Sequence, residues 1–431
     1  MKRVLIIAYY WPPSGGAGVQ RWLKFVKYLP NAGWEPVLFV PEGASYPVID
    51  LDLLKEVSSD LEVIRCPIVE PAGWLERIKG NAIQVQRLGS GSNGDEKEEK
   101  WSGRLIRWIR GNVFIPDSRF LWIRPASRRI KTWLKSNEID AVVSTGPPHS
   151  VHLIAASVKK AHPDIPWMAD FRDPWSDMDY LDDFLLTPRS RRRHKYLEQQ
   201  VIALADRVVI TSPSACDSLL GRPLMEKDEQ VVWIPNGYDE EDGFGMTQAP
   251  AEGPLLIGFF GALYYSRNAP GLWKAVCTWN SDSNRRPIQL LFYGTVDPKI
   301  QAELNATLSP RDWMLCGSIP HHEVPSALGS CHGLLLIQNN NNTGKRTIPG
   351  KVFEYLAAHR PLVVSGAMPS DLQSLVASWG FEMCGVDDES GFMSQLEGVQ
   401  QNRLGNVDPT AFRRDRLTQK ISEELLALTQ N

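Results

Sequence analysis

Gly344-Lys345-Arg346-Thr347-Ile348-Pro349-Gly350-Lys351-Val352-Phe353-Glu354-Tyr355-Leu356-Ala357-Ala358-His359-Arg360-Pro361-Leu362-Val363-Val364 reads as a basic Gly/Pro loop, a short helix, a tight turn and a buried strand. Pro349 and Gly350 end the loop, and Lys351 to His359 is rich in helix formers. Val352, Tyr355, Leu356 and His359 recur at helical spacing, so they are expected on the inward face. Lys351 and Glu354 stand three apart and share another face. A helix start leaves backbone N–H groups unpaired and partly positive. With Lys345, Arg346 and Lys351 close by, that is chemistry suited to a diphosphate. The same residues also fit an ordinary α/β helix with a surface Lys–Glu pair worth about 0.2–0.5 kcal/mol.

The chain around this stretch is 431 residues long, which fits two domains of about 200 residues each. A formal charge of −3 gives no global attraction for nucleic acid. Cysteines at 66, 216, 277, 316, 331 and 384 form no Cys-x-x-Cys pair, which points to reduced thiols in a reducing compartment. Lys2 and Arg3 precede only Val4 to Ala8 before Trp11-Pro12-Pro13, too short for a secretory signal. No apolar run approaches the roughly 20 residues of a spanning helix. The expectation is a cytoplasmic protein, soluble or peripheral on the inner face of the membrane.

Val4 to Ala8 is a short apolar run of the central parallel-strand type, and it empties into Pro12-Pro13-Ser14-Gly15-Gly16-Ala17-Gly18. A helix follows with Val19, Trp22, Leu23, Val26 and Leu29 on one face, then a strand at 36–40. Strand, Gly-rich loop and helix open a doubly wound unit. Arg21 stands where a dinucleotide fingerprint has its third Gly, and no acid ends the second strand. Gly15 and Gly16 therefore either let backbone approach a substrate or phosphate, or make a tight turn.

Asp140 to Thr145 is another strand, which runs into Gly146-Pro147-Pro148-His149-Ser150. His149 thus lies in a strand-to-helix loop, where it either serves chemistry or is structural. The strand from Trp167 ends in Asp170, Arg172 and Asp173 beside Trp175. An indole face with carboxylates and a guanidinium suits a sugar acceptor; an internal salt bridge is the alternative. Asp177-Met178-Asp179 matches a metal-clamp pattern but lies inside a loop.

Residues 89–100 are polar and of low complexity, as in a mobile insertion. From Lys100 to Lys135, ten cations stand against one acid, Asp117, with Trp101, Trp108, Trp122 and Trp133 interleaved. Such a segment either lies on an anionic bilayer or packs its apolar face on its own core. Arg189 to Lys195 is a basic run that opens a helix. Pro235-Asn236-Gly237-Tyr238-Asp239 closes the first half, and 247–254 is rich in linker residues.

The strand-loop-helix pattern then restarts with Leu255 to Phe260, Gly261 and Arg267. The expected architecture is α/β, with two doubly wound (Rossmann-like) domains facing a cleft, at 1–248 and 255–410. A last helix in 411–431 has Leu417, Ile421, Leu425 and Leu428 at helical spacing and is expected to return to the first domain.

Four motifs in this order give the chain a resemblance to the retaining glycosyltransferases of the GT-B fold, especially family 4, over essentially its whole length. They are the first strand with Gly15-Gly16, Pro235 to Asp239, the Gly261 loop, and Lys351 to Pro361. The resemblance implies transfer of a hexosyl group from a UDP- or GDP-linked sugar, with retention and without a metal or other cofactor. The acceptor it implies is a glycan or lipid-linked molecule in surface polysaccharide synthesis. Glu354 matches the second glutamate of the family's pair, the ribose ligand. Arg267 falls where the family has a phosphate-binding Lys, and Gly16 matches the glycine that approaches donor phosphate. His149 lies where a first-domain His contacts the donor sugar. The resemblance thus implies donor-binding roles for Gly16, Arg267 and Glu354. Gly15, Gly261, Lys345, Arg346 and Lys351 join them as expected donor-binding residues from the glycine loops and the basic helix start, and His149, Arg267 and Lys351 are the expected catalytic residues. Two positions depart: Arg346 replaces the first glutamate, and Ala262 the usual Arg after Gly261. The readings in competition are a sugar-nucleotide epimerase of the same fold, a catalytically silent partner subunit, and a metal-dependent transferase using Asp177 and Asp179.

Overall fold

The computed structural model describes residues 1–71, 101–225 and 228–430; the expected insertion at 89–100 lies outside them. The chain forms two compact units. The first runs to Asn236 and is completed by Arg414–Asn431; the second is Gly237–Arg413, so the chain passes between them ahead of the expected boundary at 248.

The first unit holds seven parallel strands: β1 (Lys2–Ala8), β2 (Trp34–Glu42), β3 (Glu62–Pro67), β4 (Ala141–Gly146), β5 (Trp167–Phe171), β6 (Arg207–Ile210) and β7 (Val231–Trp233). Their order is β3-β2-β1-β4-β5-β6-β7. β1 is central, with Ile6 facing Leu38 of β2 on one side and Val143 of β4 on the other. Its side chains alternate between two cores. Leu5 and Ile7 join Trp122, Ile130 and Trp167, while Val4 and Ile6 join Trp22, Phe25 and Leu29. Burial on both faces is why these strands read as continuous apolar runs.

The last helix, Arg414–Leu428, packs Leu417, Ile421 and Leu425 into the second of these cores. Trp34 Nε1 donates to Ser422 Oγ at 3.1 Å there.

The second unit has six parallel strands: β8 (Leu255–Phe260), β9 (Ile288–Tyr293), β10 (Trp313–Gly317), β11 (Gly333–Ile337), β12 (Leu362–Ser365) and β13 (Met383–Cys384). They are ordered β10-β9-β8-β11-β12-β13. In each sheet the winding direction reverses once, between β1 and β4 and between β8 and β11. The loops leaving these paired strands diverge, and that opening is where doubly wound sheets hold ligands.

Two expectations are corrected. His359 is not on the buried face of its helix; it is exposed, with φ 52°, and lies just past the end of Lys351–Ala357. The basic Trp-rich segment divides in two. Trp122 stacks on Phe39 at 5.8 Å, and helix Ile123–Trp133 buries Ala126 and Ile130, so this half packs on the core. Helix Trp101–Asn112 keeps Leu105 and Trp108 at 39% and 42% exposure. Among the described residues no helix is long and apolar enough to cross a membrane.

Candidate functional site

The switch point of the second unit gathers four of the expected residues. β8 ends at Phe260, whose carbonyl accepts from Lys351 Nζ at 2.8 Å and whose N–H donates to Tyr355 Oη at 3.1 Å. The strand end and the helix Lys351–Ala357 are thereby locked together. Gly261 follows with φ +113°, and a Cβ there would stand 3.5 Å from Lys351 Nζ. Gly294, after β9, has φ +128°, and a Cβ on it would fall 2.3 Å from the Gly261 carbonyl. Only glycine permits this approach of the two loops.

Arg267 donates from Nε to Asn339 Oδ1 at 2.8 Å, tying the β8 loop to the loop that leaves β11. Asn341 accepts from Gly344 N at 2.8 Å and holds the next turn, Asn342–Lys345. Lys345 is exposed and Arg346 half-buried on this connection, and Glu354 is half-buried one turn beyond Lys351.

The electrostatics are those of a cation held ready for a counter-charge. Lys351 packs over the Phe259 ring at 4.3 Å. Although the residue keeps some exposure, burial of its ammonium, with Arg267 adding repulsion and Glu354 opposing, lowers its pKa from 10.5 to about 7. Arg267 is lowered as well, by burial. An anion beside the two would raise both pKa values and favour the charged form of Lys351. Lys351 uses one of its three ammonium donors on Phe260 O, and a phosphate oxygen is a suitable acceptor for the others.

In the first unit the sugar-stacking reading is overturned for Asp170 and Trp175 by their burial, and for half-buried Arg172 by its bonds to backbone carbonyls. Asp170 is fully buried and takes bonds from Arg21 at 3.0 and 3.1 Å, Trp22 Nε1 at 2.6 Å and Thr145 Oγ1 at 3.0 Å. Burial alone would raise its pKa; Arg21, with Trp22 and Arg172, lowers it below the usual value. Arg172 donates to the carbonyls of Gly146, Gly18 and Pro147, and so braces the loops after β1 and β4 from inside. Trp175 is buried, with its N–H groups on Glu198 and His194. Asp173 is half-buried, with its pKa raised by burial. The internal salt bridge is what the sequence encodes, although its partner for Asp170 is Arg21.

His149 is 2% exposed and lies parallel to Trp175 at 4.8 Å. Neither ring nitrogen has a hydrogen-bond partner among the described residues. Burial first, then His152, His194 and Arg172, hold its pKa well below the usual value, so the ring is neutral. Gly15 donates to Val48 O at 2.8 Å, and a Cβ on it would meet Val48 Cγ1 at 3.0 Å. Gly16 has φ +87° with open space around it.

Two groups escaped the sequence reading. Asn339 positions Arg267, and its signal was the Asn run at the end of β11. Tyr9, Glu70 and Arg119 form a cluster beyond β1, with Tyr9 Oη on Glu70 at 2.6 Å and Arg119 Nε on Glu70 at 3.1 Å. Tyr9-Tyr10 directly after the strand was the only hint of it. Asp177 accepts from Ser218 Oγ at 2.7 Å, and the Asp179 side chain lies outside the described residues. Among the described residues no three His, Cys, Asp or Glu side chains are placed to hold a metal.

Comparison with known proteins adds to this. The sequence model described as Glycosyltransferase Family 4 matches residues 68–242. No curated protein sequence matches the chain. Among solved structures it is similar to a lipopolysaccharide outer core galactosyltransferase, WaaB, in its apo form, with TM-score 0.60, 12% identity and 99% of each chain covered. A sucrose-phosphate synthase from Thermosynechococcus elongatus gives TM-score 0.56 and 14% identity, with 100% of this chain and 97% of that one covered. HepE from Anabaena, in complex with UDP-glucose, gives 0.55 and 11%, with 100% and 98% covered. At these identities the likeness establishes the GT-B fold.

Proposed function

We propose, for a chain that resembles the family 4 glycosyltransferases and has the GT-B fold, that it moves a hexosyl group from a nucleotide diphosphate sugar to a hydroxyl of a glycan or lipid-linked acceptor. The cell-surface polysaccharides are the proposed destination. The observation that carries this reading is the switch-point pairing of Lys351 with Phe260, Gly261 and the Arg267–Asn339 bond. A donor diphosphate there meets two under-compensated cations. As the anomeric C–O bond breaks, charge gathers on the leaving diphosphate, and Lys351 and Arg267 are fixed to receive it. The acceptor oxygen forms the new bond to the anomeric carbon, and its proton passes to the departing diphosphate oxygen. Such fixed cations take the place of a metal, and retention follows from the family resemblance. Glu354 accepts from the ribose hydroxyls, and Arg346 and Lys345 add positive charge beside the phosphates. His149 takes no part in this reading: it is 2% exposed, with both ring nitrogens buried beside Trp175, so the expected sugar contact is replaced by a packing role in the first unit.

The bound UDP-glucose of the Anabaena structure supports a UDP-linked donor over a GDP-linked one. The exposed Leu105 and Trp108, on a helix with Arg104, Arg107 and Arg110, support a cytoplasmic protein peripheral on an anionic membrane.

The test is a panel of UDP- and GDP-sugars with thermal-shift and nucleotide-release readouts, with glycan and lipid-linked acceptors present. One donor stabilises the protein and is turned over only with acceptor, and chelator leaves the rate unchanged. Stabilisation by no donor overturns the reading, and an epimeric sugar formed without acceptor replaces it. Glu354→Gln lowers UDP affinity by about tenfold, as expected for one weakened charge-assisted bond. Unchanged affinity by calorimetry removes the ribose role.

A further inference from the structure

The first unit carries a charge segregation that hexosyl transfer does not use. Helices Ile123–Trp133, Ser150–Ala161 and Pro188–Leu204 contain eleven Lys and Arg but only one carboxylate, Glu198. Glu198 is buried on the N–H groups of Trp175 and Ser176, so it offers no counter-charge at the surface. Lys159 is paired with Asp206 at 2.8 Å, and the other cations leave this face with an excess of positive charge in a chain of formal charge −3.

The face is also shaped. Arg189, Arg192 and Arg193 line a pocket of about 460 Å³ with Asn112 and Ile115. Arg193 then continues into a second depression of about 550 Å³ between helices Ser150–Ala161 and Pro188–Leu204. Leu153, Ala156, Leu197, Val201 and Leu204 contribute its apolar lining, and Lys131 and Lys160 stand on it opposite Arg193. Lys131 is pinned there by a bond to Ser157 Oγ at 2.9 Å. Tyr196 is 51% exposed with the Arg193 guanidinium 5.4 Å from its ring centre. The first pocket reaches Asn112 at the end of the helix that exposes Leu105 and Trp108.

We propose that these two adjoining depressions form a binding site for one anionic bilayer phospholipid, with the phosphate in the Arg189–Arg192–Arg193 pocket and the first acyl segment along the apolar groove. Charge complementarity and the pairing of cations with apolar lining argue for this occupant, because a lipid presents both chemistries at one interface. A polynucleotide would match the cations but leave the aliphatic groove unfilled, and it would be better served by stacking rings. The site is independent of the hexosyl-transfer reading, since none of its residues belongs to the Lys351 cluster.

The experiment compares sedimentation of the full chain with phosphatidylglycerol vesicles and with phosphatidylcholine vesicles, and measures thermal shift with dihexanoyl phosphatidylglycerol. The protein sediments with the anionic vesicles alone, and the short lipid raises its melting temperature. Arg189→Glu/Arg192→Glu/Arg193→Glu lowers vesicle affinity on the order of a hundredfold while keeping the wild-type melting temperature without lipid. Gln200→Trp, which lays a ring over the groove from an exposed position, removes most of the short-lipid shift but leaves the arginines intact. Equal sedimentation of the triple variant overturns the proposal. So does an equal thermal shift from inorganic phosphate, which would make this a free-phosphate site. Single-stranded RNA competing the protein off the vesicles through the same arginines would overturn it in favour of a nucleic-acid surface.

Discussion

Asp170→Ala is expected to destabilise the first unit by about 3–5 kcal/mol, the usual cost of leaving a buried charge without its partner. Arg21 is 1% exposed; its Nε and Nη2 donate to the Asp170 carboxylate, Nη2 also to the carbonyl of Ile234, and Nη1 to that of Pro235. Removing the carboxylate strands that guanidinium and also leaves Trp22 Nε1 and Thr145 Oγ1 without their acceptor. Urea unfolding followed by tryptophan fluorescence measures the loss. A midpoint within error of wild type would show that Arg21 is satisfied without Asp170. Asp170→Asn keeps the volume and some of the bonds and should fall between the two. The acid dependence has a fixed sign. The folded-state pKa of Asp170 lies below its unfolded value, so its contribution is complete above the unfolded pKa of about 3.9 and is lost as pH falls through the folded one. The Asp170→Ala variant should therefore lose less additional stability than wild type between pH 5 and about 2.

This pair also shows what a sequence can and cannot reveal. The two sheets were legible because parallel strands buried on both faces must be written as short apolar runs, and the loops between them as Gly and Pro. Lys351, Gly261 and Arg267 were legible because they follow strands at the point where the winding reverses. Asp170 was misread. An acid–Arg–acid cluster at a strand end looks the same whether it faces solvent or carries a partner from a distant helix. That partner, Arg21, is 149 residues away along the chain, where it stood out as a missing glycine. Trp175 was misread for the same reason, since exposure of an indole is decided by what packs over it. His359 failed for a local reason: helical spacing continued past the residue where the backbone turned left-handed. Arg189, Arg192 and Arg193 were legible as a basic run, but the groove beside them depends on how two helices pack.

Lys351→Met is expected to lower kcat for the proposed transfer by about a hundredfold to a thousandfold, the range seen when one fixed donor to a developing negative charge is removed. The thioether chain keeps contact with the Phe259 ring and relieves the buried ammonium, while the bond to the Phe260 carbonyl is lost. These effects on stability oppose one another, so the variant should melt near wild type and its defect be one of function. The pH dependence separates a charge role from a packing role. In the free protein Lys351 is lowered by burial to about 7, so above that pH it is increasingly neutral. A diphosphate beside it raises that pKa, and donor binding then takes up a proton between the two values. Affinity for a UDP-sugar, whose diphosphate does not itself titrate in this range, is therefore expected to be flat below pH 7 and to weaken from there towards about pH 9, by up to tenfold per pH unit. Calorimetry in buffers of different ionisation enthalpy reads the proton uptake directly. Lys351→Met should abolish both the uptake and this part of the slope. If the slope persists in the variant, the titrating group lies elsewhere and Lys351 only shapes the end of β8. Loss of the slope with retained turnover would place Lys351 in donor binding, and leave Arg267 as the cation that meets the departing diphosphate.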